Sequence, residues 1–180
     1  MYRIKLLEFV SEDIIKKAIE MDHATFQLSD WITEEDANLI YLNKKDCLIW
    51  LTQADEPVGF VTIFSLNENL PVVAMREKKP IYKLLTQDVL SDTDTGILYC
   101  HCFLLLPQYR GKGLIYKLYE GLRVWLEEKG GNYSSLYADA VSAEGSHCLE
   151  RLGFNPIFSF GEGGILYKAD KKSVINSIVR

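Results

Sequence analysis

The chain has 180 residues and a mass of 20.6 kDa, the size of one ordinary domain. Apolar residues make up 48% of it and charged residues 25%, which is enough apolar surface to exclude intrinsic disorder. The net charge of −5 argues against a general nucleic-acid or anionic-membrane binder, since either needs a basic face.

The start, Met1-Tyr2-Arg3-Ile4-Lys5, alternates like a strand, and Tyr2 to Phe9 read as the first one. It lacks the apolar core of a signal peptide. No later run reaches the roughly 18 apolar residues of a membrane helix. A cytoplasmic chain with no membrane partner is expected. Ser11 is placed to cap a first helix with Ile14, Ile15, Ala18 and Ile19 as its apolar stripe. Thr33-Glu34-Glu35-Asp36 resembles a capping box and opens a second helix carrying Ala37, Ile40 and Tyr41. Cys47 to Thr52 and Val58 to Ser65 flank a polar turn and read as a hairpin.

Residues 67–95 form an inserted segment, with a helix expected near Pro80 to Leu90. Ile97 to Leu106 carries no fixed charge and reads as a buried central strand. Gly111 to Lys129 is the strongest helical pattern, with Leu114, Ile115, Leu118, Leu122, Trp125 and Leu126 on one side. Gly130-Gly131 stops it. Ser134 to Ala140 is a strand and Ala143 to Leu152 a short helix. Phe154 to Phe160 and Gly164 to Ala169 close as a hairpin. The order, roughly βααββ(α)βαβαββ, predicts one α/β (α+β) domain over 1–180 with a mixed sheet.

The four cysteines, Cys47, Cys100, Cys102 and Cys148, are widely spread. Cys100 and Cys102 would share a strand face, but no second Cys/His cluster has ligand spacing. They read as buried reduced thiols, and no metal is expected.

The stretch Leu105-Leu106-Pro107-Gln108-Tyr109-Arg110-Gly111-Lys112-Gly113-Leu114 carries the chemistry. A buried strand ends at a proline, a loop with two glycines and two cations follows, and a long helix begins. The first turn of a helix has unpaired N–H groups and the positive end of the dipole. Glycines remove the β-carbons that would keep a phosphate away. The segment therefore suits a phosphate or diphosphate. It is neither a Walker loop nor a dinucleotide fingerprint.

Gln108-x-x-Gly111-x-Gly113, behind an apolar strand and Pro107, resembles the acetyl-CoA pyrophosphate loop of the GNAT superfamily of N-acetyltransferases. The preceding strands and helices match that family in order, and Leu152-Gly153-Phe154 resembles its closing Gly-Phe turn. The resemblance implies a mostly antiparallel central sheet flanked by helices, splayed at its central strands to take acetyl-CoA. It implies that backbone groups at Phe103, Leu104 and Leu105 bind the pantetheine arm. The pyrophosphate would lie on the N–H groups of Arg110, Gly111, Lys112, Gly113 and Leu114, with the Gln108 region beside them. Ser142 stands where many members have a cofactor-touching Asn.

In a number of members a carboxylate on the central strand is the general base, and the matching position here is His101. Histidine accepts protons near neutrality. His147 is expected to be exposed and His23 structural or solvated. The usual tyrosine that protonates the CoA thiolate is replaced by Leu149, so Tyr137, Ser146, another hydroxyl or water would serve.

Acceptor binding falls to Phe26–Ile32, with Asp30 and Trp31, and to the inserted segment. There Asp88, Asp92 and Asp94 are offset by Arg76, Lys78, Lys79 and Lys83. The implied activity is acetyl transfer from acetyl-CoA to a primary amine, a small molecule or a peptide, within a ternary complex. The alternatives are a non-catalytic acyl-CoA sensor and an unrelated α/β domain that binds phosphate. Apolar edges in the final strands and in Ser173 to Arg180 would suit a homodimer.

Overall fold

The structure, a computed structural model, describes residues 1–44, 46–90 and 96–179. Seven strands form one sheet in the order β1-β2-β3-β4-β5-β7-β6. They are β1 (Tyr2–Leu6), β2 (Leu48–Gln53), β3 (Glu56–Leu66), β4 (Ile97–Leu105), β5 (Ser135–Ala140), β6 (Asn155–Ser159) and β7 (Ile165–Asp170). The α-helices are α1 (Glu12–His23), α2 (Glu34–Asn43), α3 (Leu70–Glu77), α4 (Ile115–Glu128), α5 (Ala143–Arg151) and α6 (Lys171–Val179). The β1/β2, β2/β3, β5/β7 and β6/β7 pairs are antiparallel and β4/β5 is parallel. This is the mixed, mostly antiparallel sheet expected. Among the described residues no helix is long and apolar enough to cross a membrane.

The chain divides into two compact units. The first comprises Met1–Thr62 and Cys102–Trp125. Its helices start where the sequence supplies caps. Ser11 Oγ accepts from the Ile14 N–H at 3.4 Å, and Thr33 Oγ1 accepts from the Asp36 N–H at 3.0 Å. The Thr33 hydroxyl in turn donates to Asp36 Oδ2 at 2.7 Å, a side-chain bond in place of the bond to the N-cap N–H that would complete a capping box. Ile40, Ile49, Leu51, Leu118 and Leu122 are fully buried. Gly121 brings α4 close to the sheet, since a β-carbon there would lie 2.8 Å from the Ile49 side chain.

The second unit comprises Ile63–His101 and Leu126–Arg180. Gly153 (φ 82°) ends α5, with the Gly153 N–H donating to the Glu150 carbonyl and the Phe154 N–H to the Leu149 carbonyl. At the start of β7 only glycine fits position 164. Its φ is 98°, and a β-carbon would stand 2.3 Å from the Ala140 carbonyl oxygen.

Three expectations change. The α-helix of the inserted segment is α3, with Pro71 in its first turn and left-handed Lys78 at its end. Residues 80–90 form two 3₁₀ turns instead, Ile81–Leu84 and Gln87–Val89, because Pro80 and Thr86 each enter in extended conformation. The long helix begins at Ile115 rather than Gly111, since Gly111 and Gly113 both have φ 71°. The C-terminal tail is helix α6, not an apolar edge. Asp170 Oδ1 accepts from the N–H groups of Lys172 and Ser173 and caps it.

Candidate functional site

In the first unit β4 stops where Leu106 donates its N–H to the Val58 carbonyl at 3.0 Å. One 3₁₀ turn follows, Pro107–Tyr109, closed by the Arg110 N–H on the Pro107 carbonyl. Gly111 and Gly113 then turn the chain into α4. A β-carbon on Gly111 would meet nothing within 4 Å, so this face of the loop is open. Among the described residues no carbonyl accepts from the N–H groups of Gly111, Lys112, Gly113 or Leu114. Arg110, Gly111, Lys112 and Gly113 are exposed. Two side-chain bonds hold the loop's shape. Arg110 Nε donates to the Leu105 carbonyl at 3.1 Å, and Lys112 Nζ donates to the Gln108 carbonyl at 2.8 Å. The result is a positively charged nest of unclaimed N–H donors at the start of a 14-residue helix. Those donors fit a diphosphate.

Leu104 is fully buried, Leu105 is buried and Phe103 is half-buried, its ring 6.0 Å from that of Tyr119. Gly59 allows the backbone to approach here, since a β-carbon on it would lie 2.6 Å from the Leu104 carbonyl oxygen.

The α1–α2 connection is pinned in the same unit. The rings of His23 and Trp31 stack at 4.1 Å, and Trp31 Nε1 donates to the Phe26 carbonyl at 3.0 Å. His23 Nε2 lies 3.1 Å from the Ile32 carbonyl oxygen, and Asp22 Oδ1 accepts from the Ile32 N–H at 2.9 Å. His23 is thus structural. Burial pushes the Asp22 carboxyl up to about 6, against the lowering effect of the Ile32 N–H.

In the second unit the β4/β5 ladder pairs Leu98, Tyr99 and Cys100 with Leu136, Tyr137 and Ala138 and ends there. His101 is the first residue of β4 beyond the last pair, and Asp139 is the first of β5. The half-buried His101 ring lies 5.9 Å from the rings of Phe64 and Tyr99. The Tyr99 hydroxyl donates to Asp139 Oδ2 at 2.8 Å, and the Tyr82 N–H reaches the same oxygen at 3.4 Å. Asp139 Oδ1 is closed off from solvent and receives no hydrogen bond from the described residues. Burial pushes this carboxyl up to about 6, although the Tyr99 hydroxyl and the N–H groups of Tyr82 and Ile81 pull it down. Burial also pushes the Cys100 thiol up to about 12, which keeps it protonated.

The other sequence-derived positions fall as follows. Ser142 caps α5, its Oγ accepting from the Gly145 N–H at 3.0 Å. Leu149 is buried and His147 is exposed. The Tyr137 ring lies under Lys168 Nζ at 5.4 Å, and Ser146 is half-buried on α5. Asp88 is exposed, while Asp92 and Asp94 lie outside the described residues. Among the described residues no group of three or more His, Cys, Asp or Glu could hold a metal ion.

Asp139 is the residue that sequence reading missed. Its signal was present, as the single acid in the strand Ser-Leu-Tyr-Ala-Asp-Ala, in phase with Tyr137.

The sequence matches the model of the Acetyltransferase (GNAT) family over residues 13–154. The chain belongs to that family. Solved structures with the same fold include the loading GNATL domain of CurA from Lyngbya majuscula, at TM-score 0.75 and 12% identity, covering 96% of this chain and 98% of that one. Arylalkylamine N-acetyltransferase 2 from Aedes aegypti has TM-score 0.64 and 17% identity, covering 94% of this chain and 99% of that one. The ribosomal-protein-S18-alanine N-acetyltransferase from Escherichia coli has TM-score 0.59 and 16% identity, covering 94% of each chain. No curated protein sequence matches the chain. In this GNAT chain the nest at Gly111–Leu114 is the segment that resembles the family's pyrophosphate loop.

Proposed function

We propose that this GNAT chain transfers an acetyl group from acetyl-CoA to a primary amine by direct attack within a ternary complex. The observation that carries the reading is the run of unclaimed N–H donors from Gly111 to Leu114, flanked by Arg110 and Lys112. These groups would hold the pyrophosphate, and the backbone of Phe103, Leu104 and Leu105 would receive the pantetheine arm. The Gln108 carbonyl braces the loop through Lys112. Ser142 can contribute its hydroxyl proton, because its oxygen already accepts the cap bond.

His101 is the general base in this reading, directly or through an ordered water. It stands beside the end of the β4/β5 ladder, where β4 leaves its pairing. His101 is at the strand position where a number of family members carry their base carboxylate, and an imidazole there can accept a proton near neutrality. Backbone donors of β4 would polarise the thioester carbonyl.

The deciding experiment is calorimetric titration of the purified protein with acetyl-CoA, with ATP as control. Saturable acetyl-CoA binding that ATP does not mimic is the expected result. A folded protein that binds ATP but not acetyl-CoA would make the loop a site for another phosphate ligand.

One observation favours a second reading. Buried Leu149 occupies the position of the family's thiolate-protonating tyrosine. Loss of a general acid typically costs about 10²–10⁴-fold in rate. Tight CoA binding with no CoA release across a broad amine panel would identify a non-catalytic acyl-CoA sensor.

A further inference from the structure

We propose that the 3₁₀ turn Ile81–Leu84 is a pH-sensitive latch over the end of the β4/β5 ladder, closed on Asp139 in acid and released more often as pH rises towards neutrality. The inference does not depend on the acetyl-transfer reading. Every residue in it belongs to the second unit.

The latch joins parts of the chain far apart in sequence. Pro80 and Leu85 are both extended, with ψ 151° and 124°, so the turn is a separate piece with a bend at each end. Ile81 is fully buried and holds it down. The first N–H groups of a helical turn have no partner within it. Here those of Ile81 and Tyr82 go to the Asp139 carboxylate of β5, the Tyr82 nitrogen at 3.4 Å from Oδ2. The Tyr99 hydroxyl reaches the same oxygen at 2.8 Å. Asp139 is the first residue of β5 beyond the ladder, as His101 is on β4.

The catch is imperfect. Oδ1 is closed off from solvent and receives no hydrogen bond from the described residues. An ionised carboxylate with one oxygen bare in a buried place is costly. The titratable and charged groups around it are Tyr99 and His101 on β4, Tyr82 and Lys83 on the turn, Tyr137 on β5 and Lys168 on β7. Lys83 Nζ lies over the Tyr82 ring at 5.6 Å and Lys168 Nζ over the Tyr137 ring at 5.4 Å. Glu150 of α5 bonds Tyr167, which pairs with Ala138 and so lies on the other face of the sheet.

Ile81 and Asp139 therefore oppose each other. Burial of Ile81 favours the closed turn, while ionisation of Asp139 favours release, because release lets water reach the carboxylate. Closed, the carboxyl is raised by burial to about 6, against the pull of the Tyr99 hydroxyl and the two N–H groups. Solvated, it would titrate near 3.8. Below 3.8 both forms are protonated and the turn stays shut. Between 3.8 and 6 the open form ionises first. Above 6 both are ionised, and the opening equilibrium has gained up to about 10²-fold. The latch sets how often the ladder's end beside His101 meets solvent.

The test is amide hydrogen exchange on the full chain from pH 4.5 to 7.5, corrected for the intrinsic pH dependence of exchange. The Ile81, Tyr82 and Lys83 amides report the turn, and the Leu136 and Ala138 amides of β5 report global unfolding. In the parent the turn amides should exchange faster than those of β5, and their opening equilibrium should rise about tenfold or more over the range. Asp139→Asn has no charge to bury, so its opening equilibrium should not change with pH. Tyr99→Phe keeps the carboxylate but removes a donor that lowers its pKa, and should move the midpoint of the rise to higher pH. It serves if Asp139→Asn does not fold. Turn amides as protected as those of β5 would mean that the turn opens only with the whole domain, and would overturn the latch. So would a parent turn that does not respond to pH, the parental response in folded Asp139→Asn, or an unmoved midpoint in folded Tyr99→Phe.

Discussion

The Tyr99 hydroxyl donates a 2.8 Å hydrogen bond to Asp139 Oδ2, joining β4 to β5 one step from where their backbone ladder ends. Burial and the neighbouring carboxylate hold the Tyr99 hydroxyl well above its ordinary pKa, so it remains a donor at every working pH. The bond holds Oδ2, while Oδ1 is closed off from solvent and receives no hydrogen bond from the described residues. A side-chain bond thus takes over the strand connection just as the backbone gives it up.

Asp139→Asn should stabilise the protein at neutral pH. Its carboxyl is raised from 3.8 to about 6 by burial. A raised carboxyl destabilises the fold most above pH 6, where folded and unfolded chains are both ionised. The penalty fades as pH falls through 6 and is gone below 3.8. The full effect corresponds to about 3 kcal/mol at most. Melting curves should therefore show the variant above the parent at pH 7.5, with the gap closing by pH 4. A variant melting below the parent at pH 7.5 would mean that the carboxylate's hydrogen bonds outweigh its burial.

His101→Ala should lower turnover by about 10²-fold or more while leaving acetyl-CoA affinity nearly unchanged. The side chain lies in the aromatic cluster with Phe64 and Tyr99, apart from the Gly111–Gly113 loop in sequence and in unit. Steady-state rates over pH 6–9, paired with calorimetry, check both halves. Equal rates in parent and variant would remove His101 from the base role.

Gly111→Asp should weaken acetyl-CoA binding more than Gly111→Asn. Both side chains enter open space and must adopt φ 71°, a conformation that Asn and Asp tolerate better than most residues. The pair therefore isolates charge from strain. Calorimetric Kd values that match for the two variants would place the phosphates elsewhere.

Gly59→Ala should destabilise the fold by about 1–3 kcal/mol, since the added methyl meets backbone and not a flexible side chain. Its β-carbon would stand 2.6 Å from the Leu104 carbonyl oxygen, so the end of β4 must shift. Denaturant midpoints measure the first effect. A weaker acetyl-CoA affinity in the folded fraction would show the second.

Trp31→Ala should loosen the α1–α2 connection, at a cost of about 1–2 kcal/mol. It removes the stack on His23 and the bond to the Phe26 carbonyl. Amide exchange should quicken across residues 24–33 and stay slow in β2. Unchanged exchange there would show that the Asp22 bond to the Ile32 N–H holds the loop alone.

Features written in short stretches of chain were legible in advance. Ser11 and Thr33 cap their helices through residues three positions away, and the apolar spacing of α4 needs no distant partner to be recognised. Gly111 and Gly113 lie together between strand and helix, so the loop announced itself and led to the family. Even so, periodicity continued the helix into the loop, because it does not sense the left-handed φ that delays α4 to Ile115. The 3₁₀ turns at 80–90 escaped for a similar reason, since periodicity does not sense the extended backbone at Pro80 and Thr86 that breaks the helix there.

What the sequence by itself determined is the alternation of elements and the open N–H nest, both set by interactions over a few residues. Only the tertiary structure buried the Asp139 carboxylate and gave it its hydrogen bonds. Asp139 meets Tyr99 across 40 positions and Tyr82 across 57, and no local rule relates residues so far apart. The same holds for Gly164, whose missing side chain is explained by the Ala140 carbonyl of another strand. Burial and hydrogen-bond supply are properties of the packed chain. The charge state and free oxygen of Asp139 therefore come into being only when β4, β5 and the inserted segment meet.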